Sequence, residues 1–191
     1  MKRDSAPPPR STAHNVGMAE ASFPHSSWGR EKPSPVFKPV FAFAASPFGS
    51  KVIRALVPLD ELLPDRSKGR YSLFGPMALP ELLLTTTGRK SGQQRTTVLS
   101  YIHDGHRLLL LGSNFGQEHH PSWSANLIAN PHASVSMAGE EIPVQATVLD
   151  GADREGALKR FLSYPMYSAY QNRTDRALRV FALTRRQSDP R

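Results

Sequence analysis

The chain has 191 residues, enough for one domain with a substantial core, and a net charge of +8. It contains no cysteine, which excludes disulfides, thiolate metal sites and dithiol chemistry, so any redox activity needs a bound cofactor. A basic chain suits acidic ligands, an anionic membrane surface or nucleic acid, but no nucleic-acid motif or strip of interleaved aromatic and basic residues is present, which disfavours the last.

Residues 1–35 are rich in proline, serine and charge, and hold five Lys/Arg against three Asp/Glu, so +6 of the +8 lies elsewhere. They read as a disordered leader. Met-Lys-Arg opens like a signal peptide, yet proline and polar residues follow in place of an apolar stretch, and the expectation is a cytoplasmic protein. Residues 36–66 form an N-terminal helical segment. Its first part carries Phe37, Val40, Phe41 and Phe43, too few to span a bilayer; it can pack on the domain or make peripheral contact with a membrane surface. Val52, Ile53, Leu56 and Val57 predict a helix over 49–57, with Pro58 interrupting and Pro64 ending the pattern.

Residues 67–186 read as the main domain. An apolar, β-branched run at 82–87 meets a polar connection at 88–94, and a second run leaves it at 95–102, the pattern of a hairpin with a longer loop. Asp104-Gly105 turns the chain into a strand at 107–112, whose consecutive leucines predict burial on both faces. A polar loop at 113–120 precedes Pro121, which suits the first residue of a helix ending before Asn130-Pro131. Strands at 134–137 and 141–149 flank Ala138-Gly139. Asp150 is placed to cap a helix running to Leu162, a short helix follows Pro165, and 178–183 is the last strand. Six antiparallel strands with flanking helices give a mainly β (α+β) fold, a small barrel.

Three stretches carry chemistry. Arg89, Lys90 and Ser91 lie between Gly88 and Gly92, with Arg95 just beyond. Three cations, a hydroxyl and permissive backbone can hold an anion through charge-assisted hydrogen bonds. The nucleotide-hydrolase phosphate loop is excluded because Gln93 follows Gly92. In SNFGQEHHPSWSAN, His119 and His120 point apart on an extended chain and lack an HExxH context, so no metal site is assigned. Trp123, Asn126, Leu127 and Asn130 share one helical face. Tyr164, Tyr167 and Tyr170 recur every third residue; such rows are more often core than ligand contacts, but three phenols needing partners favour a wet pocket edge. No GxSxG elbow supports hydrolysis.

LLLTTTGRKSGQQRTT, GSNFGQEHHPSWSANLIANP and YPMYSAYQNRTDR, in this order and spacing, resemble the deazaflavin (F420)-dependent nitroreductase family across about residues 48–184. The resemblance implies a six-stranded split β-barrel and the reduced deazaflavin coenzyme F420, which would pass a hydride to an electron-poor acceptor such as a quinone, nitro compound or enone. It further implies that Arg89, Lys90, Ser91, Gly92 and Arg95 hold the cofactor's acidic tail, with Thr97 and Leu99 on the same strand; Val98 stands where many relatives have proline. Ser113, Asn114, Pro121, Trp123 and Asn126 would border the ring. Tyr164, Tyr167 and Tyr170 would cover the acceptor side, with Tyr167, or Ser113 through water, as proton donor. The alternatives are an FMN- or haem-binding split-barrel protein and a cofactor-binding protein without turnover.

Overall fold

Alternation of apolar side chains along the strands sets the architecture, because each strand has an apolar face to hide inside, and the third and sixth strands have a second face to hide under helices. The computed structural model describes residues 22–24, 46, 49 and 79–186. Strands β1 (Glu81–Thr87), β2 (Gln94–Asp104) and β3 (Arg107–Leu111) are followed by a 3-10 turn (Asn114–Gly116) and helix α1 (Ser122–Ala129). Strands β4 (His132–Met137) and β5 (Glu140–Val148), helices α2 (Gly151–Leu162) and α3 (Pro165–Gln171) and strand β6 (Val180–Arg185) complete the domain. The strands pair antiparallel and close in the order β1-β2-β3-β6-β5-β4.

Inside the barrel, Leu82, Leu84, Leu108, Val135, Val144 and Phe181 belong to one buried cluster. The leucine run of β3 divides between two cores: Leu108 and Leu110 face inward, whereas Leu109 and Leu111 join Phe161, Tyr167 and Tyr170 in a second cluster under α2 and α3. This is the doubly buried strand that the sequence predicts. Burial of each such side chain contributes about 1.5–3 kcal/mol.

The two barrel ends are covered differently. Trp123 of α1 lies 5.3 Å from the Phe181 ring, ring centre to ring centre, and Asn126 of the same helix bonds Thr86 near the end of β1. At the opposite end, where β6 finishes, Phe23 is buried in the barrel cluster with the Arg185 guanidinium 5.6 Å from its ring centre. Phe23 lies in the stretch that reads as a leader in sequence: an aromatic residue there finds apolar surface that only the closed barrel creates. The rest of residues 1–35, and residues 36–78 apart from Ser46 and Gly49, lie outside the described residues. Gly49 is helical and donates its N–H to Ser46 Oγ at 2.9 Å, at the start of the helix expected from 49.

Two local expectations change. Asp150 occupies the N-cap position of α2, but its side chain makes no capping hydrogen bond. The last strand starts two residues later than the apolar pattern predicts, because Val180 is the first residue opposite Leu111; Leu178 is buried without being in the strand. An ionic cluster pins α2 to the β2–β3 hairpin: Asp104 receives Arg107 Nε and Arg160 Nη1, each at 2.6 Å, and Arg107 also pairs with Asp153 at 2.7 Å. Burial alone would raise the Asp104 carboxyl, but hydrogen bonds and charge from Arg107 and Arg160 outweigh it and hold it below the ordinary value of 3.8.

Candidate active site

Strand β2 is longer than its neighbour, and this opens the barrel wall. Residues 94–100 pair with β1, whereas the pairing with β3 covers only Tyr101 to Asp104. Among the described residues no other strand pairs with residues 94–100, so that edge of β2 is open beside the β1–β2 turn. Two loops flank the opening, the turn at 88–93 and the connection at 112–120, and α1 runs between them.

The turn is built to display cations. Its backbone closes on itself through Gly88 N–H to the Gln93 carbonyl at 2.7 Å and Gly92 N–H to the Gly88 carbonyl at 2.8 Å. A side chain at 88 would lie 2.9 Å from Ser91 Oγ and 3.1 Å from the Gln93 carbonyl, so it would crowd the turn, and Gly92 has φ +68, which favours glycine. Arg89, Lys90, Ser91, Gly92 and Arg95 are all exposed. Arg95 donates to Gln93 Oε1 at 3.1 Å, and among the described residues none of the three cations pairs with an acid. Exposed guanidinium and ammonium groups on a self-braced turn fit a phosphate- or carboxylate-bearing group.

Asn126 ties this turn to α1. It is buried, accepts the Arg89 N–H at Oδ1 and donates from Nδ2 to Thr86 Oγ1, both at 3.1 Å. Both ends of its amide are thus occupied by protein, which makes it the clasp of the turn. Trp123 is likewise a core side chain. Pro121 sits at the N-cap position, one residue ahead of the helix that was expected to begin with it. By helical rise, Pro121 and Asn126 are about 7.5 Å apart along the axis, so α1 reaches the 112–120 loop at one end and the basic turn at the other. Thr97 and Leu99 occupy inward-facing positions opposite Leu84 and Leu82, and Leu99 packs against the barrel core; they line the wall of the opening from within.

The second loop is fixed from several sides. Asn114 Nδ2 donates to the His119 carbonyl at 2.9 Å, and Ser113 N–H bonds the Leu111 carbonyl at 2.9 Å. Gly116 has φ +75, and a side chain there would lie 2.6 Å from the Tyr170 carbonyl, so this loop presses directly on α3. Arg176 was not singled out by the sequence, since nothing in its spacing marks it. It nevertheless donates to the carbonyls of Gly112, Ser113 and Gln117 at 2.6–3.0 Å.

The tyrosine row lands in the second core. Tyr167 is 6% exposed and meets the rings of Phe161, Tyr164 and Tyr170 edge-on, with centroids 5.4, 6.5 and 6.1 Å away. Burial raises its phenol well above the ordinary range, opposed only by a hydrogen bond with the Ser100 side chain, so Tyr167 remains protonated. Tyr170 touches the 112–120 loop through Phe115, with ring centres 5.7 Å apart, and Tyr164 is half-buried at the start of α3. The geometry therefore brings the basic turn, α1 and the 112–120 loop around one opening and joins α3 to it through Tyr170.

The sequence profile of the F420H(2)-dependent quinone reductase family matches residues 66–185. The F420H(2)-dependent quinone reductase of Mycobacterium tuberculosis (strain ATCC 25618 / H37Rv) is 35% identical over 135 residues, which cover 69% of this chain and 91% of that protein. The solved structure of F420-H2 dependent reductase FDR-A aligns with a TM-score of 0.50 at 38% identity, covering 55% of this chain and 93% of the other. A solved domain-swapped dimer aligns with a TM-score of 0.51 at 34% identity, covering 66% and 98%. With an open-edged six-stranded barrel and an exposed basic turn already in place, the chain belongs to the F420H(2)-dependent quinone reductase family and is an F420-dependent oxidoreductase.

Proposed function

We propose that this chain reduces a quinone with reduced F420 bound along α1. The acidic tail lies on Arg89, Lys90, Ser91, Gly92 and Arg95, and the ring lies toward Ser113, Asn114 and Pro121. The carrying observation is three exposed cations that have no acid partner among the described residues, on a turn that Asn126 fastens to α1. When bound, the reduced cofactor supplies the hydride, and the protein supplies binding, orientation and exclusion of water.

The chain's own residues divide this work. The cations and the Ser91 hydroxyl hold the tail by charge-assisted bonds that weaken with salt. Asn126 keeps the turn in register with the helix. Tyr164, half-buried at the start of α3, forms the acceptor wall, and Tyr170, buried against Phe115, ties α3 to the 112–120 loop. Tyr167 braces that wall from inside, packed among three rings with its hydroxyl bonded to Ser100. A lipid-soluble quinone is the physiological acceptor, met by a cytoplasmic protein whose basic, Phe-containing N-terminal segment touches the membrane surface; vesicle co-sedimentation of the full chain and of one lacking residues 1–46 tests that contact.

A titration of the full chain with F420, a tail-less deazaflavin and FMN tests the site. F420 binds most tightly, and its affinity falls as salt rises. Equal affinity for F420 and the tail-less ring sinks the assignment of the turn.

A further inference from the structure

The chain between α3 and β6 contains a cation whose partners are unusual. Arg176 is half-buried, and among the described residues no carboxylate pairs with it. Its guanidinium is directed wholly at the 112–120 loop: Nε donates to the Gln117 carbonyl at 2.7 Å, Nη1 to Gly112 at 3.0 Å and Nη2 to Ser113 at 2.6 Å. The fourth contact is Nη1 with His120 Nδ1, at 3.1 Å. Its own N–H faces Thr174 Oγ1 at 3.3 Å, which steadies the segment that presents it.

The chemistry of this last pair is one-sided. A guanidinium has donors only and stays protonated in proteins, so the imidazole must accept at Nδ1. The neutral ring then carries its proton on Nε2. A doubly protonated ring would set an N–H against the guanidinium N–H and add a cation beside Arg176 and Arg179. Burial, then Arg179 and Arg176, lower the His120 pKa and agree with this picture. His120 directly precedes Pro121 and thus stands where the loop meets α1.

We propose that Arg176 is a positioning residue of the active site: it locks the 112–120 loop through three carbonyls and selects the His120 tautomer whose Nε2–H is offered to the bound ligand. This rests on the reading that the ring and the acceptor lie beside this loop. A neutral imidazole is a poor proton source but a good hydrogen-bond donor, able to stabilise negative charge developing on a quinone oxygen as hydride arrives. The arrangement explains why a cation is aimed at this loop with no carboxylate partner among the described residues: its task is to orient neutral groups. A lysine has no planar fork to reach three carbonyls and a ring nitrogen together.

The first test needs no variant. Long-range 15N–1H correlation on the full chain reads the His120 tautomer directly, and Nδ1 should appear as the unprotonated nitrogen. Protonation at Nδ1 overturns the proposal. Single-turnover oxidation of reduced F420 by a soluble naphthoquinone then measures the consequence. His120→Ala is expected to slow it by on the order of 10–100-fold, whereas His120→Gln, which keeps an N–H near the Nε2 position, recovers most of the rate. Arg176→Gln and Arg176→Lys slow the same step, with quinone KM changing less than kcat. Arg176→Gln in the His120→Ala background adds little, because the two act as one unit. Equal losses from Arg176→Gln with and without His120 overturn the coupling. If Arg176→Gln does not fold, the tautomer and the Ala/Gln pair at 120 still decide. Failure of the underlying site shows elsewhere, as unchanged F420 affinity in Lys90→Ala and Arg95→Ala.

Discussion

The β1–β2 turn and the α3 tyrosine row show the same kind of sequence signal with opposite outcomes. Both present three functional side chains within a few residues, and both resemble ligand-binding stretches of one family. The turn keeps its cations exposed while its backbone is held by two internal bonds and by Asn126, so its charge faces outward. The row turns its central phenol inward onto Ser100 and packs it among three rings. Residue type alone does not separate these cases. What separates them is whether another element covers the stretch: α3 lies against the barrel wall, whereas the turn projects from it.

The comparison can be broken by moving stability and affinity independently. Tyr167→Ala should cost about 3–5 kcal/mol of stability in chemical denaturation, the scale of an aromatic cavity. Phe23→Ala should cost a similar ~3–5 kcal/mol while leaving F420 affinity unchanged, since it plugs the barrel end remote from α1. Truncation before Ser22 should cost almost nothing, and a loss there as large as that from Phe23→Ala would show that the plug is not the leader's anchoring point.

Effects of the next size belong to the turn. Lys90→Ala or Arg95→Ala should weaken F420 binding by about 1–3 kcal/mol with little change in Tm, and should reduce the salt dependence of binding. Asn126→Leu sharpens the contrast because it should do both: about 1–3 kcal/mol of stability from stranding Thr86 and the Arg89 N–H, with weaker F420 binding as the turn loosens.

Tyr167→Phe is expected to cost only about 1 kcal/mol of stability, for the bond to Ser100, and to leave F420 affinity and single-turnover rate near wild type. A rate drop well beyond tenfold with an unmoved Tm would return the row to chemistry and dissolve the contrast. The smallest effect is in acid. Asp104 has a folded-state pKa below 3.8, so its ion pairs contribute fully above that value, and their contribution is lost as pH falls through the lowered one. Asp104→Asn should flatten the stability curve below about pH 4 and leave it unchanged in slope near neutrality; because these groups are only half-buried and solvent screens them in part, the change is small.

The strands were legible in the sequence because period-two alternation and turn residues act locally: Ile142, Val144 and Ala146 face the core as their spacing requires, although Val148, in the same alternation, is exposed at the end of β5. The basic turn was legible for the same reason: two glycines, three cations and a hydroxyl specify an exposed polar turn before any neighbour is known. Tertiary structure decided the rest. Asn126 reads as a pocket residue in sequence, and its role as a clasp exists only because closure of the barrel brings Thr86 and Arg89 to it across about forty positions, 40 and 37. Phe23 reads as part of a leader until a barrel end needs covering. Arg176 has no local signature, because its partners are carbonyls 59–64 residues earlier, and a carbonyl is offered by every residue type. Local pattern thus determined which elements form and where charge is displayed. Long-range packing determined which polar groups remain free for a ligand and which are taken up by the protein itself.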